Sequence, residues 1–193
     1  MPLGDRFDTV LAAARAGADW AWTELYHDLA PVILGYLRSR GAHSPEDVAG
    51  EVFLQVVRDL HRFDGDESRF RSWVFTIAHH RLIDAGRRRR RRPSDPVTDE
   101  ALERALPHNE GQEGLERVAE AELLEVLNDL TEDQRTVLLL RLFADLSIDD
   151  VAEMLGKRPG AVKALQHRAI GRLRRRLERH PYPAGPLERS PER

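Results

Sequence analysis

Cysteine is absent from the 193-residue sequence, and long apolar runs are missing as well. Without thiols, the chain can form no disulfide framework, thiolate zinc site or cysteine nucleophile, which fits a reducing compartment. Apolar runs such as residues 137–140 are far shorter than the roughly 20 residues that a membrane-spanning helix needs. Residues 1–11 contain Asp5 and Asp8 and no basic stretch followed by an apolar core. We therefore expect a cytoplasmic protein with no export signal and no membrane insertion.

Signatures of catalysis and of metal binding are also lacking. No serine lies in a nucleophile elbow, no glycine-rich phosphate loop follows a strand, and the eight histidines have no HExxH or comparable ligand spacing. His79 and His80 are adjacent, so on a helix their side chains point about 100° apart and make a poor shared metal site. The sequence therefore predicts a protein that is not an enzyme and needs no metal or cofactor.

Apolar residues recur with a helical period along most of the chain, and no segment alternates with a period of two. Pro45 suits the first position of a helix, and a later helix is expected to start near Phe70 and to run into six consecutive arginines at 87–92. Thr131 is a predicted N-cap, with Gln134 at the capping-box position. The pattern predicts an all-α fold.

Composition divides this fold into two small helical domains joined by a flexible linker. We place the first domain at residues 1–93 and the second at residues 120–180. The stretch 94–119 is acidic, contains prolines and glycines and has no sustained apolar stripe, as expected of a linker. Four prolines within residues 181–193 predict a disordered tail.

The net charge of −3 conceals a strong segregation of charge along the chain. Residues 69–92 contain nine basic residues against Asp84 alone, and residues 157–179 contain nine against Glu178 alone. Between them, the linker has seven acidic and two basic residues. Two separate basic surfaces are therefore predicted, and the acids of the linker discourage it from lying on a polyanion.

A helix-turn-helix pattern lies in the second domain. Ser147 can cap a short helix, Gly156 ends it, and Pro159 suits the first turn of the next helix. A B-DNA major groove about 12 Å wide admits such a helix, whose early residues reach base edges. The candidates for base contacts are Lys163, Gln166 and His167. The candidates for phosphate contacts are Arg158, Arg168, Arg172, Arg174, Arg175 and Arg176.

The alternative interpretation of this second basic stretch is an ordinary solvated helix face. The neighbouring residues 120–153 disfavour it, because they contain ten acids and two bases, whereas ordinary surfaces mix the two signs.

The arginine run at 87–92 is less specific, since such a run also suits a localisation tract, an RNA-binding arm or a disordered cationic segment. Aromatic residues on the preceding helix favour binding to unstacked bases, because each stacked base contributes about 1–3 kcal/mol. Phe70 and Trp73 follow the apolar stripe, which favours core packing for both. Phe75 lies off that stripe and is the better stacking candidate.

Taken together, the order of these features resembles a bacterial RNA polymerase sigma factor of the extracytoplasmic-function (ECF) subfamily of the sigma-70 family. Residues 45–54 are similar to region 2.2 of that family, and residues 70–84 with the arginine run resemble regions 2.3 and 2.4. Residues 130–135 and 146–156 are similar to region 4. The resemblance covers nearly the whole chain.

The resemblance implies two contacts with core RNA polymerase. Asp47, Glu51 and Gln55 would dock on the coiled coil of the largest subunit, and the helix from Thr131 would pack with the beta-subunit flap. It also implies binding of promoter DNA, with residues 158–172 at the minus-35 element, and an anti-sigma factor as a further partner. The candidates for the minus-10 element are Asp64, Ser68, Arg69, Arg71, Trp73, Phe75, His80, Arg81, Arg87 and Arg88.

The expected function is therefore that of a sigma factor, which directs promoter-specific initiation through the minus-10 and minus-35 elements. A free-standing helix-turn-helix regulator that dimerises through its N-terminal helices is the alternative, and affinity for core polymerase separates the two. The linker can extend to about 85 Å at 3.3 Å per residue. Two turns of DNA measure about 70 Å, so both basic surfaces can lie on one duplex.

Overall fold

The computed structural model describes residues 3–91 and 125–179 of the chain. Within these two ranges every regular element is a helix, which confirms the predicted all-α fold. The predicted linker, the predicted tail and Arg92 lie outside the described residues, so the domain boundaries stay predictions.

The N-terminal helices pack around one apolar core. Leu25, Ile33 and Tyr36 meet Val52 and Phe70 there, and all of these side chains are almost fully buried. Pro45 begins its helix as predicted. The elements in chain order are a 3-10 turn (Gly4–Arg6), α1 (Phe7–Arg15), α2 (Asp19–Ser39), α3 (Pro45–Asp59), a 3-10 turn (Leu60–Arg62) and α4 (Glu67–Arg91).

Helix α4 starts three residues before the predicted position near Phe70. The carboxylate of Asp66 accepts a hydrogen bond from the backbone N–H of Arg69 at 2.8 Å and satisfies one of the unpaired donors of the first turn. At its other end the helix continues into the arginine run as far as Arg91. The arginines at 87–91 therefore lie on the helix itself and not in a loop.

The C-terminal helices are α5 (Glu132–Phe143), α6 (Ile148–Leu155) and α7 (Pro159–Arg179). The predicted capping box is present at α5, where Thr131 and Gln134 exchange backbone and side-chain hydrogen bonds. Ser147 and Asp150 form a second capping box at α6. Gly156 ends α6 in the left-handed conformation at φ 60°, which glycine adopts without steric cost. Helices α6 and α7 therefore form the predicted helix-turn-helix.

The two groups of helices contact each other through α2 and α5. The ring of Phe143 packs against Gly35, where an added Cβ would lie 2.8 Å from the Cε1 atom of Phe143. Beside this contact, the Nη2 atom of Arg40 lies 3.2 Å from the Oε1 atom of Glu132, and the Arg40 side chain is only 7% exposed. The sequence pattern did not predict this contact.

Candidate nucleic-acid interface

An aromatic cluster lies where the loop after α3 meets the start of α4. Trp73 is partly buried and stacks on Phe63, with ring centroids 5.3 Å apart and an interplanar angle of 27°. Phe70 supports the Trp73 ring from the core, at a centroid distance of 5.8 Å. The cluster borders a cavity of about 700 Å³ that is also lined by Asp64, Arg69, Ser72, Thr76 and His80.

The prediction that Phe75 lies off the buried stripe of α4 and is free to stack on a base was wrong. Its side chain is 0% exposed, and its ring packs edge-on against Tyr36 at a centroid distance of 5.7 Å. Because α4 contacts α2 as well as α3, it buries a wider face than a single apolar stripe indicates. Of the aromatic candidates on α4, Trp73 is therefore the one that lines the cavity.

Several predicted minus-10 residues have partners within the domain. Arg71 and Asp28 form an almost buried ion pair at 2.7 Å. Arg81 donates two hydrogen bonds to the Oε1 atom of Gln55, at 3.0 and 2.7 Å. Arg87 lies 3.5 Å from Asp84 on the same helix. Ser68, Arg69 and His80 are exposed.

Two of the three predicted polymerase contacts, both partly exposed, bind side chains of α4. Glu51 accepts two hydrogen bonds from Arg88, each at 3.0 Å, and Gln55 binds Arg81. Asp47 is exposed at the start of α3. The carboxylate and the amide therefore brace α3 against α4, because their partners lie on that helix.

The outer face of α3 also exposes apolar residues that sequence reasoning missed. Leu54 is 67% exposed, and Val57 is exposed one turn later. Val57 lines a cavity of about 350 Å³ with Trp22, Tyr26 and Phe53. The signal was available in the sequence, because the apolar residues of α3 cover more than the one face that packs on the core.

The second helix of the helix-turn-helix presents most of its predicted residues to solvent. Gln166 is half-buried, and Arg172 and Arg176 face residues 125–129, where Arg172 donates to the Asp129 carbonyl at 3.1 Å and Arg176 pairs with the Asp129 carboxylate at 2.8 Å. These two arginines anchor α7. Arg172 is exposed despite its contact, and the other exposed candidates are Arg158, Lys163, His167, Arg168, Arg174 and Arg175.

The adjacent histidines of α4 have different environments. His79 is buried and shares a 2.8 Å hydrogen bond between its Nδ1 atom and the Tyr36 hydroxyl, whereas His80 is exposed. Burial, together with the charges of Arg40 and His80, lowers the pKa of His79 to about 4. Burial raises the pKa of Tyr36 to about 12. His79 is therefore a neutral core residue, and His80 is the histidine that reaches the cavity.

Acidic side chains of the C-terminal helices lie opposite the aromatic cluster. Asp150, Glu153 and Met154 line the same cavity as Trp73 and His80.

In residues 3–91 and 125–179, no group of three or more His, Asp or Glu side chains is arranged to hold a metal ion. Among the helices of these same ranges, none is long and apolar enough to cross a membrane.

Comparison with known proteins finds two family models on this chain. Sigma-70 region 2 matches residues 25–92, and Sigma-70, region 4 matches residues 120–173. The ECF RNA polymerase sigma factor SigD of Mycobacterium tuberculosis is 32% identical over 180 residues, covering 89% of this chain and 84% of SigD. The ECF sigma factor ShbA of Streptomyces griseus is 35% identical over 162 residues, covering 77% of this chain and 85% of ShbA.

Two solved structures share the fold. CnrH in complex with the cytosolic domain of CnrY has a TM-score of 0.64 at 22% identity, covering 91% of this chain and 99% of that one. The sigma factor RpoE in complex with the anti-sigma factor NepR, from Bartonella quintana, has a TM-score of 0.61 at 22% identity, covering 81% of this chain and 96% of that one.

Proposed function

The chain belongs to the ECF subfamily of sigma-70 factors, which direct RNA polymerase to promoters without catalysis of their own. We propose which surface of the chain binds each promoter element and which binds polymerase. The aromatic cluster on α4 takes the minus-10 element, α7 takes the minus-35 element, and the outer face of α3 docks on polymerase in the cytoplasm. The observation that carries this division is that Trp73 and the first part of α7, with Lys163, Gln166 and His167, lie in the two separately matched regions.

At the minus-10 element, the proposed role of Trp73 is to stack on an unpaired base of the opened strand. An indole that is already held by Phe63 and Phe70 loses little conformational entropy when a base stacks on it. Ser72, Thr76 and His80 line the same cavity and can hydrogen-bond to base edges. Phe75 and Arg71 are not part of this proposal, because the first is in the core and the second is paired with Asp28.

At the minus-35 element, α7 is proposed to enter the major groove with Lys163, Gln166 and His167 toward base edges. Arg158, Arg168, Arg174 and Arg175 are exposed and suit phosphate contacts. Arg172 and Arg176 support this helix through Asp129.

For docking on core polymerase we propose a stripe along α3 formed by Asp47, Leu54 and Val57. Asp47 is exposed, and the two apolar residues follow it at helical spacing on the same outer face. An exposed apolar patch with an acidic edge is typical of a protein interface, because burying it on a partner removes apolar surface from water.

Replacing Leu54 with serine is expected to weaken binding to the coiled coil of the largest polymerase subunit by about fivefold or more, the loss typical of a central interface residue. Affinity for a fragment carrying that coiled coil measures the effect. Leu142 is the matched control, since it is 68% exposed against 67% for Leu54 and lies on α5. Equal affinities for L54S and L142S would contradict the proposed docking face.

The same function requires the two domains to separate. Promoter elements two helical turns apart are about 70 Å from each other, and domains in direct contact cannot reach both. In the described arrangement, Phe143 packs on Gly35 and the acids of α6 line the cavity beside Trp73. We therefore expect this contact to open when polymerase and promoter are bound.

Replacing Gly35 with leucine is expected to open the contact between the domains, because even a Cβ at this position lies too close to Phe143. The radius of gyration from small-angle scattering should rise, while the helix content from circular dichroism stays unchanged. Gly86 is the control, since an added Cβ there meets nothing within 4 Å. A radius of gyration that stays the same in G35L would show that Phe143 does not hold the domains together.

Run-off transcription with purified core polymerase tests the function as a whole. The chain is expected to redirect initiation to new start sites, and footprinting would then locate both elements. Tight binding of a chain dimer to duplex DNA without polymerase would favour the free-standing regulator instead. An anti-sigma factor stays a prediction for this chain.

A further inference from the structure

The N-terminal segment 3–24 lies before the residues that match Sigma-70 region 2, yet it contacts the loop that leads into the minus-10 surface. This loop runs from the 3-10 turn Leu60–Arg62 to the first residue of α4. It contains Phe63, on which Trp73 stacks, and Asp64, which lines the same cavity. Contacts that fix the conformation of this loop therefore also fix the position of Phe63 relative to Trp73.

Arg15 ties the beginning of the loop to α1. Its Nε atom donates to the carbonyl of Leu60 at 3.4 Å, and its Nη2 atom donates to the carbonyl of Phe63. A guanidinium is planar and presents its donors in a fixed fork, so one side chain can hold both carbonyls at once. Phe63, the first residue after the 3-10 turn, is thus held by Arg15 of α1, which lies 48 positions earlier in the sequence.

Glu67 ties the end of the loop to the same segment. As the first residue of α4, it accepts hydrogen bonds from the backbone N–H groups of Leu3 at 2.6 Å and of Gly4 at 2.9 Å. The ring of Phe7 packs on Phe70 one turn further along, at a centroid distance of 5.5 Å. Both ends of the loop are therefore attached to residues 3–15.

We propose that the segment 3–15 is a brace for the minus-10 loop, and that Arg15 and Glu67 are positioning residues for base selection. The inference rests on the proposed function of the aromatic cluster. The brace does not touch the promoter itself. It holds Phe63 against Trp73, so that an incoming base meets a preformed stacking site and is selected by the groups around it.

The test compares Arg15→Gln with Arg6→Gln in holoenzyme assembled on wild-type core polymerase. Arg6 is a matched control, because it is an exposed arginine of the same segment that pairs with Glu24 at 2.6 Å and not with the loop. Affinity is measured for promoters with an already unpaired minus-10 region, carrying either the preferred base or a substituted base at each position. The ratio of the two affinities is the readout, since a loss of folded protein would lower both equally.

R15Q is expected to lower this ratio at least threefold at one or more positions, while R6Q keeps the wild-type ratio. Arg15→Lys keeps the positive charge but lacks the forked donors of the guanidinium. Its ratio of affinities should therefore fall between those of R15Q and the wild type. An unchanged ratio in R15Q would overturn the brace alone. If the wild-type holoenzyme prefers no base at any unpaired position, both the proposed function and the inference that rests on it are overturned.

Discussion

Replacing Trp73 with alanine is expected to slow promoter opening by about 5- to 150-fold. The estimate follows from the stacking of one base on an aromatic ring, which contributes about 1–3 kcal/mol. Trp73→Phe keeps a ring on Phe63 and should retain most of the rate. The rate of opening is measured with holoenzyme on a duplex promoter by a fluorescent base in the minus-10 region.

Trp20→Ala is the matched control for this experiment. Trp20 is 49% exposed at the start of α2 and lies outside the aromatic cluster. Its replacement should leave the opening rate unchanged. If W73A opens the promoter as fast as W20A does, Trp73 is not the stacking platform.

Replacing both Arg174 and Arg175 with glutamine is expected to reduce the salt dependence of promoter binding. Each phosphate contact contributes about 0.9 to the steepness of a plot of log affinity against log salt concentration. Replacing both arginines should therefore reduce the magnitude of this slope by about 1.8. Both residues are exposed on α7 and make no ion pair within residues 3–91 and 125–179. Holoenzyme affinity for the promoter, measured from low to moderate salt, gives the slope.

The double variant of Arg6 and Arg38 removes the same number of charges elsewhere on the surface. Both control residues are exposed and pair with acids of their own domain, at 2.6 and 2.7 Å. This variant should keep the wild-type slope, because neither arginine lies on a proposed DNA surface. Equal slopes for the two double variants would remove Arg174 and Arg175 from the phosphate contacts. Arg176 is left out, since its loss would release Asp129 and disturb the helix itself.

Local features of this fold could be predicted from the sequence because they depend on residues a few positions apart. The capping box at Thr131 joins atoms three residues apart, and Gly156 ends α6 through its own backbone conformation. The helix-turn-helix follows from these signals together with the apolar spacing. The excess of positive charge on α7 is also retained at the surface, because Arg168, Arg174 and Arg175 are exposed.

Roles that depend on a distant partner could not be predicted in this way. Phe75 is in the core because Tyr36, 39 positions earlier, packs on its ring. Glu51 and Gln55 have the polarity of an exposed docking face, yet arginines of α4 bind them. Arg176 has the same side chain as Arg175, and only its contact with Asp129 makes it an anchor of the helix.

The sequence alone therefore determined the helical class, the helix-turn-helix and the presence of two cationic segments, since each depends on short-range periodicity, capping or composition. Only the tertiary structure decided which ring of α4 lies beside the cavity, which charged groups are already paired, and that α1 holds the loop before α4. The physical reason is that a side chain's exposure and partners depend on contacts between helices far apart in the chain. Arg15 is the clearest case, because its two acceptors are backbone carbonyls that no residue pattern reveals.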